Sequence, residues 1–447
     1  MAKKLWGGRF GKKTDPYAEE FTRSIQYDYK LAKYDILGSV VHVEILGKSG
    51  YLTKKEVLKI QDALVKIGNG RFSPNKAYED VHSQIQDLLE GVVGDLALKL
   101  HTARSRNDQV VFATKVYCLD KLAETAVSLQ AVIDALKSLA KANKDVVIPG
   151  FTHMQHAQPV YLKDYIGAYV IMLEDSIDKV KAAASGISLT MGSGAVAGTP
   201  IEAKHYRMSL DKYAKKLGIK LSGLKLEPTK NAIYTVSDRG FVLEPLNVTA
   251  VIATYLSRLA EDLIIWSTKE FGFVDIDEAF CTGSSLMPQK KNADVLELIR
   301  GCAGRIYGNR IGFLAVMKGL PLSYNRDMQL DKEPLFDSFE TVIAELKVLK
   351  GLVKTLKFNK DKLETQLDDE SLYATDIVYY LVNKGVPFKT AHTTVGKLVK
   401  YTIDNSIGIK TMTQHELNAF SDKLVKKDIV KLFNPVVSVK SKRSIER

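Results

Sequence analysis

The stretch Gln109–Asn143, QVVFATKVYCLDKLAETAVSLQAVIDALKSLAKAN, decides the fold. Val116, Leu119, Ala123, Ala126, Leu129, Ile133, Leu136 and Ala140 recur in it every three or four residues, the stripe of a packed helix. Proline costs about 3 kcal/mol inside a helix. None falls between Pro74 and Pro149 or between Pro334 and Pro387, and only Pro288 and Pro321 lie between Pro245 and Pro334. The same periodicity runs over Tyr161–Ser185, Phe241–Glu270, Ala293–Lys318 and Leu335–Leu356. Five such helices make a bundle, while alternation of strand type is scarce and short. The chain reads as all-α.

Outward from this bundle, Phe241–Trp266 is apolar on most faces, interrupted by Glu244, Asn247, Arg258, Glu261 and Asp262. A helix apolar all round is buried on all sides. One five-helix chain struggles to arrange that, so helices of several chains are expected to pack together. Shorter helical segments precede the bundle (Tyr29–Ser49, Thr53–Ile67, Tyr78–Gly91) and follow it (Ser371–Lys384, Lys389–Asn405, Thr413–Leu424). This predicts three helical regions: an N-terminal domain over 1–108, a central long-helix bundle over 109–358 and a C-terminal domain over 359–447.

The 447 residues agree with about three domains. Hydrophobic content of 45% and charged content of 26% exclude a disordered chain. Cys118, Cys281 and Cys302 have no metal-site or disulfide spacing. Three free thiols fit a reducing compartment, so a cytoplasmic protein is expected. No apolar run follows the basic start MAKK, and no stretch reaches the length of a membrane span. The 64 Lys+Arg and 52 Asp+Glu leave a charge of +12, but the cations are spread along the chain and no nucleic-acid reader motif accompanies them. A solvated surface, with a few cations serving an anionic small substrate, accounts for it.

Four polar clusters sit at the ends of the long helices: His101–Gln109, Gly150–Pro159, Gly283–Asn292 and Pro321–Pro334. One such cluster would be a cap or turn. Four, all rich in Arg, Lys, His, Asn and Gln, together suit an anion-binding pocket with acid/base groups facing helix N-termini. A helix over Gln109–Asn143 would be about 50 Å long. The first cluster starts it and the second follows its end, so one pocket using both must draw on different chains.

The third cluster, Gly283-Ser-Ser-Leu-Met-Pro-Gln-Lys-Lys-Asn292, resembles the GSSxMPxKxN signature of the fumarase/aspartase superfamily at all seven specified positions. Gln289 and Lys291 make it similar to the argininosuccinate lyases within that superfamily. Leu5–Phe10, Arg104–Gln109, Thr152–Pro159, Asp327–Phe336, Ala374–Asp376 and Lys384–Phe388 carry the resemblance along nearly the whole chain. It implies an all-helical homotetramer with a central twenty-helix core and active sites shared between subunits. The implied reaction is reversible cleavage of argininosuccinate to L-arginine and fumarate, the last step of arginine biosynthesis, without metal or cofactor, membrane or nucleic acid. Alternatives are a sister fumarate-releasing enzyme such as adenylosuccinate lyase, or an inactive crystallin-like relative.

By the same resemblance, Ser284 is the base that removes the proton, with Ser285 as runner-up and Lys290 holding the developing charge. His153 is the acid for the departing nitrogen and Glu297 of a neighbouring chain holds its imidazole. His156 is read as structural. Substrate contacts map onto Ser24, His82, Ser105, Arg106, Asn107, Thr152, Arg239, Asn292, Tyr324, Gln329 and Lys332. Arg104 is read as a surface salt-bridge residue. Departures from the family pattern are Tyr234, Gly240, Ala293, Arg326 and Leu330.

Overall fold

The computed structural model describes residues 12–445, so the Leu5–Phe10 motif lies outside the described residues. Short helices α1 (Pro16–Thr22) and α2 (Ile25–Asp28) lead into α3 (Ala32–Lys48), α4 (Lys54–Asn69) and α5 (Val81–Val93). The long helix α6 (Arg106–Ala142) precedes a hairpin of β1 (Val147–Thr152) and β2 (Gln155–Tyr161), and α7 (Leu162–Ser185) follows at once. Next come β3 (Leu189–Met191), β4 (Met208–Ser209), α8 (Asp211–Lys216) and β5 (Lys225–Pro228), the strands forming a sheet in the order β3-β5-β4. Then follow α9 (Ala232–Ser237), α10 (Gly240–Ser267), β6 (Val274–Asp275), β7 (Thr282–Gly283), β8 (Lys291–Asn292), α11 (Asp294–Met317) and α12 (Lys332–Thr355). Strand β9 (Lys357–Phe358) pairs with β6, and six shorter helices from α13 (Lys360–Gln366) to α18 (Pro435–Ser441) complete the chain. The architecture is all-α, as the periodicity predicts, and α6, α7, α10, α11 and α12 fall on the five predicted spans.

Local chemistry starts these helices. Thr53 and Glu56 close a capping box on α4, and Asp80 caps α5 by accepting the Ser83 N–H at 2.7 Å. The Ser105 hydroxyl accepts the Asn107 N–H at 3.3 Å where α6 begins. Asp238 accepts the Gly240 N–H at 3.0 Å, and a β-carbon on Gly240 would sit 3.2 Å from that carboxylate.

The stripe on α6 is shifted from its predicted line. Leu122, Leu129, Val132, Ile133 and Leu136 are buried, whereas Leu119 is half-buried and Ala123 exposed. Small alanines satisfy the spacing rule without showing which side faces inward.

The chain forms two compact units. One comprises residues through Gln130, Asp175–Thr254 and Gly301–Leu346; the other comprises Ala131–Glu174, Tyr255–Arg300 and Lys347 onward. In the first unit α3 is buried along most of its length, and Tyr117 packs edge-on against Tyr34 and Phe336 with ring centroids 5.6 and 4.7 Å away. In the second unit Val147 and Tyr161 of the hairpin join a core built from Leu372, Tyr373, Ile377, Leu381, Leu398 and Leu417. No helix among the described residues is long and apolar enough to cross a membrane.

Two helices differ in how their apolar faces are covered. Apart from Glu244 and Arg258, α10 is buried or half-buried along its whole length within one chain. Its all-round apolarity therefore does not by itself demand neighbours. On α11 only Leu296, Ile299, Ala303, Ile306 and Phe313 are buried, while Leu298, Ile311 and Leu314 stand exposed. Gly301, Gly304, Gly308 and Gly312 have open space where a β-carbon would be.

Glu345 on α12 is buried, neither carboxylate oxygen has an oxygen or nitrogen partner, and burial pushes it up from 4.5 to about 8. The folded state therefore binds a proton that the unfolded state has released. Stability from this group is complete below about pH 4.5 and is lost as pH rises through about 8. Glu345→Gln should remove that decline, read as melting temperature against pH; a Glu345→Gln curve parallel to wild type contradicts it.

Candidate functional site

Five non-glycine residues among those described adopt left-handed backbone, and four lie in the quoted polar clusters: Ala103, His153, Met154 and Ser323. Such strain concentrates at functional sites.

Within the first unit, the opening of α2, the N-terminus of α5, the start of α6, the residue before α10 and the turn before α12 line a small polar cavity. Ser24, His82, Arg106, Asn107, Arg239, Tyr324, Gln329 and Lys332 all line it. Eight of the eleven predicted substrate contacts, from five distant segments, are thereby brought together. Ser105 instead serves as the cap described above, and Thr152 and Asn292 belong to the other unit.

The same cavity holds residues missed in the sequence: Asp28, Asp80, Val110 and Met328. Both acids are buried. The Ser24 hydroxyl donates to Asp28 at 2.6 Å, and the Val81 N–H donates to its other oxygen at 3.0 Å. Burial and the nearby Asp80 push Asp28 up to about 6. Burial would also raise Asp80, but Arg106, with Nε 3.3 Å from its carboxylate, holds it below the usual range.

Beneath the cavity Arg239 Nε and Lys332 Nζ meet the two oxygens of Asp331, each at 2.9 Å, and all three side chains are buried. Arg239 also donates to the Asp238 and Val236 carbonyls. Most of its donors are thus committed inside the chain. Arg104 is no surface ion pair: it is half-buried and donates to Ser39 at 2.9 Å.

Within the second unit, the predicted catalytic residues sit on two hairpins and one helix start. β1 and β2 pair from Val147↔Tyr161 to Thr152↔Gln155, leaving His153-Met154 as a two-residue turn. Their φ values of 54° and 59° are those of a type I′ turn, which matches strand twist. His153 is therefore presented, exposed, at the hairpin tip. The register shifts opposite Gly150, where β2 carries the extra residue, Ala157 and Gln158 facing one position of β1, and a β-carbon on Gly150 would meet the Gln158 carbonyl at 2.6 Å. His156 holds the hairpin, with Nδ1 2.6 Å from Asp369 and its ring 5.0 Å from that of Phe151. Its reading as structural agrees with this pairing.

The signature loop is the second hairpin. Thr282 pairs with Asn292 and Gly283 with Lys291, so residues 284–290 form the loop. The Asn292 side-chain amide donates to the Gly283 carbonyl at 3.4 Å, and Lys291 is anchored to Asp275 at 2.6 Å. The Ser284 hydroxyl oxygen accepts two backbone N–H groups, from Leu286 at 3.2 Å and Met287 at 2.9 Å. Two donors aimed at one oxygen stabilise its deprotonated form. Lys290 is exposed on the same loop, and Glu297 is exposed in the first turn of α11. Among the described residues no hydrogen bond joins His153 to Ser284 or Glu297. Nor are three His, Cys, Asp or Glu side chains grouped as metal ligands.

A wider groove in the first unit, bordered by Lys115, Thr190, Asn231, Tyr234, Phe241 and Asn247, includes none of the predicted site residues.

Residues 8–308 match a family described as lyase, and residues 371–440 match the argininosuccinate lyase C-terminal family. The chain is 42% identical to argininosuccinate lyase of Geobacter sulfurreducens, over 94% of this chain and 91% of that one. It is 42% identical to argininosuccinate lyase of Caldanaerobacter subterraneus subsp. tengcongensis, over 99% and 98%. Among solved structures, EDDS lyase in complex with formate superimposes with a TM-score of 0.80 at 25% identity, covering 97% of this chain and 87% of that one. Class II fumarase from Schistosoma mansoni gives 0.79 at 19% identity, covering 94% and 92%, a likeness of fold.

Proposed function

The chain belongs to the argininosuccinate lyase family of the fumarase/aspartase superfamily, and we propose that its two groups of site residues, supplied by different copies of the chain, make one active site. The activity is the reversible β-elimination of argininosuccinate to L-arginine and fumarate. The observation that carries the site is the cavity on which eight of the residues implied by the resemblance converge.

A proton leaves the carbon beside a substrate carboxylate, the bond to the guanidino nitrogen breaks, and that nitrogen takes up a proton. Ser284 removes the first proton, its oxygen held by the Leu286 and Met287 N–H groups. Lys290, Thr152 and Asn292 hold the negative charge that spreads into the carboxylate. His153 supplies the second proton, and Glu297 of a neighbouring copy steadies its imidazole. Lys332, Tyr324, Gln329, Asn107 and Ser24 hold the rest of the substrate. Arg239 and Arg106 act by fixing Asp331 and Asp80, and Ser105 by starting α6.

A homotetramer supports this arrangement. Helix α6 has 37 residues, about 55 Å at 1.5 Å each. Arg106 begins it and the His153 hairpin follows its end. The exposed, glycine-lined face of α11 suits close packing against helices of other copies. The three-region division at 108 and 358 and a cytoplasmic location, suggested by three free cysteines, complete the reading.

The test is release of fumarate from argininosuccinate by the purified protein. Release is expected from argininosuccinate and none from adenylosuccinate. Release from adenylosuccinate alone, or inactivity of the intact oligomer, overturns it.

A further inference from the structure

Lys115 on α6 is buried, which is rare for a lysine without a carboxylate partner. Its Nζ donates to the Ser188 carbonyl at 3.0 Å and lies 5.3 Å from the centroid of the Phe241 ring. Among the described residues no carboxylate forms an ion pair with it. Burial holds the ammonium below the ordinary lysine range, and Asp238 and Asp108 counter this only from a distance. Asp108 is engaged by the Gly192 N–H at 2.9 Å and the Ser193 hydroxyl at 2.7 Å, and Asp238 by the Gly240 N–H at 3.0 Å. A buried charge is normally paired.

The space beside it is the wider groove of the first unit, about 800 Å³, the size of a small-molecule site. Ile187, Phe241, Val248 and Val251 give the groove an apolar wall, which Lys115 and Thr190 interrupt. The Thr190 hydroxyl oxygen is enclosed and has no hydrogen-bond partner among the described residues. The ammonium has N–H donors beyond the one given to Ser188. Of the acids that border the groove, Glu227 faces Arg207 at 3.5 Å and Glu244 is exposed to solvent. Tyr234 and Gly240 line the groove as well, so part of its wall comes from residues in which the chain departs from the family pattern. The groove shares no lining residue with the substrate cavity.

We propose that this groove binds a small organic monocarboxylate, whose carboxylate meets the Lys115 ammonium and the Thr190 hydroxyl while its apolar body lies against Phe241, Val248 and Val251. The carboxylate completes the pairing that burial of Lys115 leaves open. The Lys115 charge selects against uncharged molecules of the same shape, and the apolar wall selects against small inorganic anions. A dicarboxylate such as fumarate would set its second charge on that wall at a desolvation cost, so the groove is no second site for the product.

The experiment measures hexanoate binding by equilibrium dialysis against the purified protein: wild type, Lys115→Met, Tyr234→Asp and the cavity variant Asn107→Ala with Gln329→Ala. Hexanol is the uncharged probe. Wild type takes up hexanoate saturably, a single molecule per chain, and excess fumarate does not displace it. The cavity variant binds it equally. Lys115→Met weakens hexanoate about 10- to 100-fold, the range of a lost charge-assisted hydrogen bond, and hexanol binds wild type no better than hexanoate binds this variant. Tyr234→Asp, at an exposed position bordering the groove, sets a like charge near the carboxylate and weakens hexanoate about two- to fivefold. Parity of hexanoate and hexanol, undiminished binding in Lys115→Met, displacement by fumarate or loss of binding in the cavity variant overturns the proposal. Absence of saturable binding to wild type overturns it too, and if Lys115→Met then forms smaller oligomers, the partner of Lys115 is a carboxylate of a second copy. Should Lys115→Met fail to fold, the other arms decide: a preference for hexanoate over hexanol that Tyr234→Asp reduces upholds the proposal, and the lack of either result overturns it.

Discussion

Ser284→Ala should abolish nearly all turnover while leaving the oligomer intact. Removal of a general base commonly costs 10²- to 10⁴-fold, and no other loop oxygen replaces this one. The Ser284 oxygen receives two backbone N–H groups at 3.2 and 2.9 Å, whereas Ser285 is exposed and shows no such donors. The same bonds describe a turn serine, so the loop could loosen on substitution. Ser284→Asn separates the two roles, because its side-chain carbonyl can still accept the turn bonds but cannot serve as the base. Both variants are expected to lose on the order of 10³-fold in kcat, with melting temperature and oligomer size near wild type. Near-normal turnover in either removes Ser284 from the proposed role.

The second large effect is on stability. Asp331→Ala leaves Arg239 and Lys332, both buried, without the carboxylate that each meets at 2.9 Å. Breaking a buried ion pair by removing one partner costs roughly 3–5 kcal/mol, because the remaining charge is stranded. Here one carboxylate serves two cations, so the upper part of that range is expected in denaturant unfolding. Asp331→Asn keeps the shape and loses only the charge, and it should lie between wild type and Asp331→Ala. A loss below about 1 kcal/mol, the scale of a surface pair, would mean that the triad is effectively solvated.

The long helices were legible because a 3.6-residue period repeats over 24 to 37 residues in proline-poor spans. The hairpin that presents His153 was not. Pro149, Gly150 and Pro159 break any alternation, and its two-residue turn is His153-Met154 rather than a pair with glycine. Convergence of Ser24, His82, Asn107, Arg239 and Lys332 was legible only through family resemblance, since no spacing rule links segments hundreds of residues apart. The buried acids Asp28, Asp80 and Asp331 were missed for the same physical reason. An acid in sequence is by default a solvated one, and only long-range packing reveals which cation it faces. Asp80 and Asp331, each beside a marked residue in Asp80-Val-His82 and Asp331-Lys332, offered the one local hint.

The central claim is that one active site takes its two residue groups from different copies of the chain. It is tested most directly by mixing two inactive variants. Ser284→Ala damages the signature loop, and Asn107→Ala combined with Gln329→Ala damages the cavity. The two homo-oligomers are dissociated together, reassembled and assayed for fumarate release. Mixed oligomers contain some sites with both groups undamaged, so activity should reappear well above that of either parent treated alone. A mixture as inactive as its parents, with mixed oligomers demonstrated by mass, would show that each site is built within a single chain and would contradict the account.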